Sequence, residues 1–478
     1  IANSPIIFEC KTGTLRQKSM AAWWDRDTIR PLRRSIGKDR VLSTPEAKAI
    51  YSRDATEFQG FPLAVVLAET VDDIQKTVKF AVDKGLTITP RGAGSGLSGG
   101  SVPAEGSIVL SCENMKDVMQ FDPDYQRITV QPGVTTQTVQ SIVKEAGLFC
   151  PPDPASYTIS TIGGNVAENA GGLRCFKYGV TSHYVLGIEY VDDKGEIRKT
   201  GTLGSRVFEP DLTPLLIGSE GTFGIFSQIE LRLILLPEKT VTLAAYFRDK
   251  IGGFEATEII LQSGLTPSVM EYIDRISMSA AANYIKLDLN DEADSMLLIE
   301  LDGDAEQVGA DLTQIEKLLD TVSFHHETAD NPVDQDRLWS LRRAISPSLI
   351  RSSSGKIHED VAVPRSKLKE LSIAIDDISD ANQIKIAKYG HAGDGNLHAV
   401  FLYDKADSEQ TAIANLSVRS LYTIAISLGG TISGEHGIGL SKREFLPEQL
   451  RGPNIGISKQ VKDYFDPTGL FNPGKIFG

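Results

Sequence analysis

The sequence predicts a chain of mixed helix and strand divided among two or three domains, and three observations lead there. Its 478 residues are too many for one core, and 41% of them are hydrophobic, enough to bury several. From residue 41 onward, short strand-like runs alternate with segments of helical spacing. Glycine-rich stretches recur between them, the longest at Arg91–Gly100.

The first clear element is a helix over Thr70–Lys84, where Val71, Ile74, Val78 and Ala81 fall on one face and Gly85 supplies a stop. A short strand, Leu86–Pro90, follows and runs into the glycine stretch. Gly94, Gly96 and Gly99 stand at GxGxxG spacing, so a dinucleotide fingerprint has to be considered. Such a loop must open a helix, whereas Gly99-Gly100-Ser101-Val102-Pro103 continues as loop before a strand at Ser107–Ser111. Successive glycines still let backbone N–H groups converge on a phosphate without obstruction.

Near the C-terminus, three of the seven histidines lie in two short pieces, His391-Ala-Gly-Asp-Gly-Asn-Leu-His398 and Ser433-Gly-Glu435-His436-Gly437. Asp394-Gly395 favours a two-residue hairpin turn, which sets Gly393 against Asn396 and His391 against His398 on one sheet face. Two imidazoles so held suit one cation, and Glu435 and His436 offer a further ligand and a proton acceptor.

Composition removes several classes of function. A net charge of −14 disfavours nucleic acid as a partner. Cys10, Cys112, Cys150 and Cys175 lack the spacing of a zinc ribbon, an iron–sulfur site or a disulfide framework, so a reducing cytoplasm is the expected setting. No apolar run approaches the roughly eighteen residues that cross a bilayer, and no signal-peptide pattern is read in the first residues. Residues 1–40 hold nine Lys and Arg against four Asp and Glu, which leaves −19 on the remainder. With Trp23-Trp24 beside Arg26, Arg30, Arg33 and Arg34, this basic arm is a candidate for docking on a partner or on the inner face of a membrane. The alternative is an arm packed on its own acidic body.

Pro90-Arg91-Gly92-Ala93-Gly94-Ser95-Gly96-Leu97-Ser98 resembles the pyrophosphate loop of FAD-linked oxidases of the vanillyl-alcohol oxidase type. Further segments follow in that family's order. Pro151-Pro152-Asp153-Pro-Ala-Ser156 resembles a loop near the flavin. Thr161-Ile-Gly163-Gly164-Asn165, with Asn169-Ala-Gly171-Gly172, resembles the second glycine-rich loop. Gly218-Ser-Glu220-Gly221-Thr-Phe-Gly224, followed by Ile225, resembles the third, and Phe465–Gly474, containing Asn472, resembles the usual ending. The resemblance covers about residues 41–478 and implies noncovalent FAD, since the first loop carries no histidine for tethering.

The two histidine pieces are similar to motifs of the D-2-hydroxyacid dehydrogenase branch, which includes the glycolate oxidase catalytic subunit and the D-lactate and D-2-hydroxyglutarate dehydrogenases. That likeness implies His391, His398 and Glu435 as metal ligands and His436 as the base. Two histidines and a carboxylate suit Zn²⁺, with Fe²⁺ or Mn²⁺ as alternatives. A Trp-x-x-Arg stretch in the helix read over Asp336–Ile345 implies Arg342 at the substrate carboxylate, with Arg343 the near alternative. Lys356 and His358, in the segment ending at Pro364, resemble the strand that reaches the substrate. The 2-hydroxyglutarate enzymes present a lysine near the place of His358, which counts against that dicarboxylate.

The implied architecture is α+β. A PCMH-type FAD-binding domain of two subdomains spans 41–239, and a cap domain of antiparallel sheet and helices spans 240–430. Residues 431–478 return to the flavin. Within the cap, Pro237–Tyr246 and Met296–Leu301 read as strands and Gly253–Ser263 and Ala305–Leu319 as helices. The expected reaction is FAD- and metal-dependent oxidation of a small D-2-hydroxyacid, D-lactate or glycolate. Electrons would pass to an external acceptor: an iron–sulfur subunit, an electron-transfer flavoprotein, a cytochrome or a quinone. The competing readings are a D-2-hydroxyglutarate dehydrogenase, an ether-lipid synthase of the same flavin fold, and a flavin-binding partner subunit without activity.

Overall fold

Helix Val71–Lys84 forms where its apolar spacing places it, and its ends are sealed by side chains that the sequence supplies. Thr70 and Asp73 make a reciprocal capping box, and Gly85 closes the last turn in the left-handed region at φ 62°. The computed structural model describes residues 28–204, 210–450 and 452–477.

This helix lies on a four-stranded sheet ordered Val41–Leu42, Ala64–Leu67, Ile108–Ser111, Ile88–Arg91. The last three strands run parallel. Pro90, which has no N–H to donate, is tolerated because its strand is at the sheet edge. The glycine loop after Arg91 leads into no helix, in keeping with the rejection of a dinucleotide fingerprint. A second, antiparallel sheet is ordered Val118–Asp122, Arg127–Val130, Ile225–Arg232, Val185–Val191, Ile197–Lys199 and packs helices Thr136–Glu145 and Ile162–Glu168.

One expectation is resolved and one corrected in this part. Of the two readings of the basic arm, the described residues follow the packed one: helix Arg30–Ile36 buries Leu32 and Ile36, with Ile29, in the core under the first sheet. Arg33 donates to Val41 O and Ser43 Oγ, and Arg40 pairs with Asp73 at 2.5 Å, so this part of the segment is packed on its own body. Trp23, Trp24 and Arg26 lie outside the described residues. The second glycine-rich segment is helical where a loop was expected: Thr161 caps Ile162–Glu168, so Gly163 and Gly164 occupy its first turn.

The cap is one antiparallel sheet of seven strands, ordered His325–Ala329, Lys239–Phe247, Ser295–Gly303, Val269–Asp274, Lys385–His391, Asn396–Tyr403, Gly355–Ala362. Strand alternation divides its apolar residues between two cores. Tyr272, Leu297, Ile299, Ala399 and Phe401 face helices Gly252–Gln262, Ala305–Val322, Leu368–Asn382 and Ser408–Ser427. Ile273, Leu298, Tyr389 and Val400 face helices Arg275–Ile285 and Pro332–Ser352.

Charged contacts join the cap to the flavin-side sheets: Arg174 bridges Asp153 and Glu300, and Lys177 reaches Asp302 at 2.6 Å. The chain then returns, with Thr431 pairing Ala362 and Phe471 pairing Ile88. No helix among the described residues is long and apolar enough to cross a membrane.

Candidate active site

A cleft of about 1330 Å³, counting its mouth, runs between the two flavin-side sheets and reaches Glu435 and His436 of the returning chain. The loop from Pro90 to Leu97 forms one wall; Ser156, Thr161, Gly163, Gly164, Asn165 and Gly171 form another; Glu220, Gly221, Gly224 and Ile225 close it. Glycine is required by space where these walls meet, because a Cβ on Gly92 would stand 2.3 Å from Thr161 Oγ1. The walls are mostly apolar and the first loop carries exposed backbone donors, a combination that fits FAD: a flat ring system at one part and a pyrophosphate at another.

Other expected cofactor residues stand behind the wall. The Ser98 carbonyl accepts from Leu440 and Ser441 N–H, and Pro152 O accepts from Gln140. Asp153 pairs with Arg174, and Asn169 ends its helix in the left-handed region. Gly172 packs on Asp153, and the Asn472 amide donates to Gly100 O and Glu220 O. Arg91 lines the cleft, but its guanidinium donates to Arg53 O at 2.7 Å and stacks on Tyr51, so it braces the loop from below. Cys112, Pro132, Glu168 and Phe226 also line the cleft; none stands in a glycine motif, and no sequence signal marked them.

At one end the cleft is lined by Glu435 and His436. The hairpin beside them differs from the expected one. Its turn is Ala392–Gly395, four residues and not two, with Asp394 and Gly395 N–H both donating to His391 O. The register therefore pairs His398 with Tyr389, not with His391. The slip is two residues, so parity is kept and both histidines still share one face, with ring centroids 5.3 Å apart.

Neighbouring strands extend that face. Glu271 stands opposite His391, and Asp360 stands opposite His398. His391 Nδ1 donates to Glu271 Oε1, which turns its Nε2 toward Glu435 Oε1 at 3.3 Å. His398 Nε2 is 3.7 Å from the same oxygen. Donor atoms of His391, His398 and Glu435 all lie within 4.8 Å of one another. Both histidines are buried, and His398 Nδ1 has no hydrogen-bond partner. Two imidazoles and a carboxylate converging this way fit a divalent cation. Glu271 and Asp360, which the sequence reading did not single out, stand where outer supports of such a site would.

Electrostatics follow the same geometry. Burial alone favours the neutral acid of Glu271, but His391 and Arg342 hold it below the ordinary carboxylate range. Burial works against the charged form of His391 too, yet Glu271 and Glu435 raise it well above the usual histidine value. His398 is driven far down by burial and by the surrounding histidines, leaving a neutral ligand. Asp360 resists burial through His436 and Lys442 and stays well below the usual carboxylate value. Its Oδ1 lies 3.1 Å from His436 Nδ1, and its Oδ2 accepts from the backbone N–H of Glu435 at 2.6 Å and of His436 at 3.0 Å. Asp360 thus fixes the loop through two backbone hydrogen bonds and sets its charge beside the ring that loop carries.

Arg342 is brought to this face by helix Pro332–Ser352. Its Nε donates to Glu271 Oε2 at 2.6 Å and its guanidinium lies over Tyr389, 4.8 Å from the ring centroid. Arg343 is elsewhere: it points outward, half exposed, and pairs with Asp336 at 2.6 Å, so the alternative assignment is withdrawn. About 100° per residue separates the two around the helix, enough to send one in and one out. His358 sits beside Tyr389 Oη at 3.3 Å. Lys356 shares its sheet face two residues earlier.

Comparison with known proteins agrees with this geometry. Residues 236–476 match the family described as FAD linked oxidases, C-terminal domain, and residues 62–201 match the FAD binding domain. The glycolate oxidase subunit GlcD of Bacillus subtilis is 37% identical over 457 residues, covering 95% of this chain and 97% of its own length. The corresponding subunit of Escherichia coli K12 is 33% identical, covering 93% and 89%. A D-lactate dehydrogenase of Anaerostipes hadrus is 30% identical, covering 93% and 96%. Among solved structures, p-cresol methylhydroxylase with substrate bound superposes with a TM-score of 0.78 at 17% identity, covering 98% of both chains, a likeness of fold alone.

Proposed function

The chain belongs to the FAD-linked oxidases and is an FAD-dependent oxidoreductase, and from that premise we propose that it oxidises a D-2-hydroxyacid, D-lactate or glycolate, to the 2-oxoacid. The observation that carries this reading is the convergence of His391, His398, Glu435 and Arg342 around His436 at the end of the flavin cleft.

Each residue has a part set by its surroundings. Arg342 spends only Nε on Glu271, so its two Nη groups are left for a substrate carboxylate, whose planar fork they match. Asp360 occupies the Nδ1 side of His436 and leaves Nε2 to take the hydroxyl proton, a task an imidazole performs near neutrality. His391, His398 and Glu435 would hold the cation. When bound, FAD supplies the hydride acceptor, and a divalent metal, Zn²⁺ with Fe²⁺ or Mn²⁺ as alternatives, supplies Lewis acidity at the hydroxyl. The walls of the cleft exclude water from that transfer.

A second substrate, D-2-hydroxyglutarate, is supported by Lys356. Its side chain is partly buried on the face that carries His358, with no carboxylate partner among the described residues. Electrons leave to an external acceptor, and the relatives named as oxidase subunits favour a partner protein such as an iron–sulfur subunit. An electron-transfer flavoprotein or a quinone is the alternative acceptor.

Anaerobic addition of substrate tests the reading. D-lactate or glycolate should bleach the flavin absorbance and L-lactate should not, and chelation should abolish bleaching while leaving the oxidised flavin spectrum. If D-lactate, glycolate and D-2-hydroxyglutarate all leave the absorbance unchanged, the reading is wrong.

A further inference from the structure

His398 belongs to two donor sets. Besides His391 and Glu435, it stands with His358 and His436, whose ring nitrogens also lie within 4.8 Å of one another and of its own. Ring centroids are 5.2 Å apart for His358 and His398, 5.2 Å for His358 and His436, and 5.4 Å for His398 and His436. The three come from separate segments: His358 from strand Gly355–Ala362, His398 from strand Asn396–Tyr403, and His436 from the returning chain.

The set has the outer supports a metal site needs. Asp360 Oδ1 stands 3.1 Å behind Nδ1 of His436, and Tyr389 Oη stands 3.3 Å from Nε2 of His358. His398 is 4% exposed, yet among the described residues neither its Nδ1 nor that of His436 makes a hydrogen bond, Asp360 facing the latter as a charge only. Leaving a buried polar nitrogen unpaired is costly, and a site that does so has room for something else to satisfy the ring. Three imidazoles with a fourth position open are a donor set suited to Zn²⁺ or Co²⁺, and poorly suited to Mg²⁺ or Ca²⁺, which prefer oxygen.

We propose that His358, His398 and His436 form a second divalent-cation position that competes with the first for His398. The proposal rests on the reading of His391, His398 and Glu435 only for that competition. Repulsion between two dications so close makes the positions alternatives, filled one at a time. A cation in the second position occupies the imidazole that takes the substrate proton, so excess zinc inhibits by withdrawing the base.

Cobalt alone is the probe. FAD-loaded full chain, stripped by chelation, is titrated with Co²⁺ while d–d absorption and bound cobalt are measured. Wild type should bind one equivalent. Glu435→Ala should still bind one equivalent with an altered d–d spectrum, and Glu435→Ala/His358→Gln should lose it, with unshifted flavin absorbance showing that both are folded. If Glu435→Ala binds no cobalt, or the double variant binds as much as Glu435→Ala, the second position is overturned. If Glu435→Ala keeps the wild-type d–d spectrum and His358→Gln then abolishes it, the second position stands and the first reading fails.

Discussion

Glu271 stands directly across paired strands from His391 and divides its carboxylate, one oxygen to His391 Nδ1 and the other to Arg342 Nε. One fully buried side chain thereby orients both the proposed metal ligand and the proposed substrate clamp. Glu271→Gln keeps the shape but not the charge. It should weaken metal affinity by about 10- to 100-fold, the usual cost of losing an outer support, read by competition against a chelator. An unchanged affinity would show that Glu271 does not orient His391.

The two adjacent arginines should separate cleanly. Arg342→Lys loses the planar fork and one half of a buried charged hydrogen bond, which costs about 2–5 kcal/mol. Its kcat/KM should fall by roughly 30-fold or more. Arg343→Ala should stay within about 0.5 kcal/mol of wild-type stability and keep full turnover, because its partner Asp336 is exposed.

Asp360 and Lys442 form a fully buried pair. Asp360→Asn leaves that lysine with Glu359 alone, 3.4 Å away, and should destabilise the chain by about 3 kcal/mol, the low end for a broken buried pair, in denaturant titration. Adding Lys442→Met should restore much of that stability without restoring turnover, since His436 still lacks the carboxylate that holds it. Recovery of both together would mean that Asp360 acts only through the fold.

Glu168 lies in the cleft wall beside Glu220, and burial first, then that neighbour, raises its pKa well above the ordinary value. A carboxyl raised on folding binds its proton more tightly in the native state, so its contribution is fully present at low pH. It is lost as pH climbs from the unfolded value through the folded one. Glu168→Gln removes that loss. Its Tm should exceed wild type at pH 8 by more than at pH 5, and an equal difference at both would place the shift elsewhere.

FAD should leave the denatured protein. Cys112 is the one thiol among the residues lining the cleft, and burial pushes it up to about 12, so it is not a tethering nucleophile near neutrality. Acid precipitation should put the yellow colour in the supernatant, and colour retained in the pellet would establish a covalent bond.

Where the sequence was readable, local chemistry decided the outcome. Helix Val71–Lys84 has its cap, its stripe and its stop within one stretch, and the glycine loops lie where backbone has to approach a ligand. Asp394-Gly395 favours a tight turn, while the structure turns over Ala392–Gly395, which moves the register. The two histidines share a face in either register because a two-residue slip keeps side chains on the same side. Glu271 and Asp360 were not singled out because nothing within a strand announces which partner it will face; only pairing with His391 and His398 gives them a part. Arg30, Arg33 and Arg34 give helix Arg30–Ile36 the composition of an exposed arm, yet Leu32 and Ile36 decide where it lies.

Phe471 pairs with Ile88 at the edge of the first sheet and belongs to its core, and Asn472 ties Gly100 to Glu220 across the glycine loops. A growing polypeptide can therefore pair the four strands within residues 41–111 as they emerge from the ribosome, but it cannot yet add the bridge at Ile88 or the Phe471 side chain to the core beneath. Domains otherwise tend to fold as units, earlier ones first. Here the flavin-side core stays short of Leu470 and Phe471, and the glycine loops short of their Asn472 tie, until the whole cap has been synthesised.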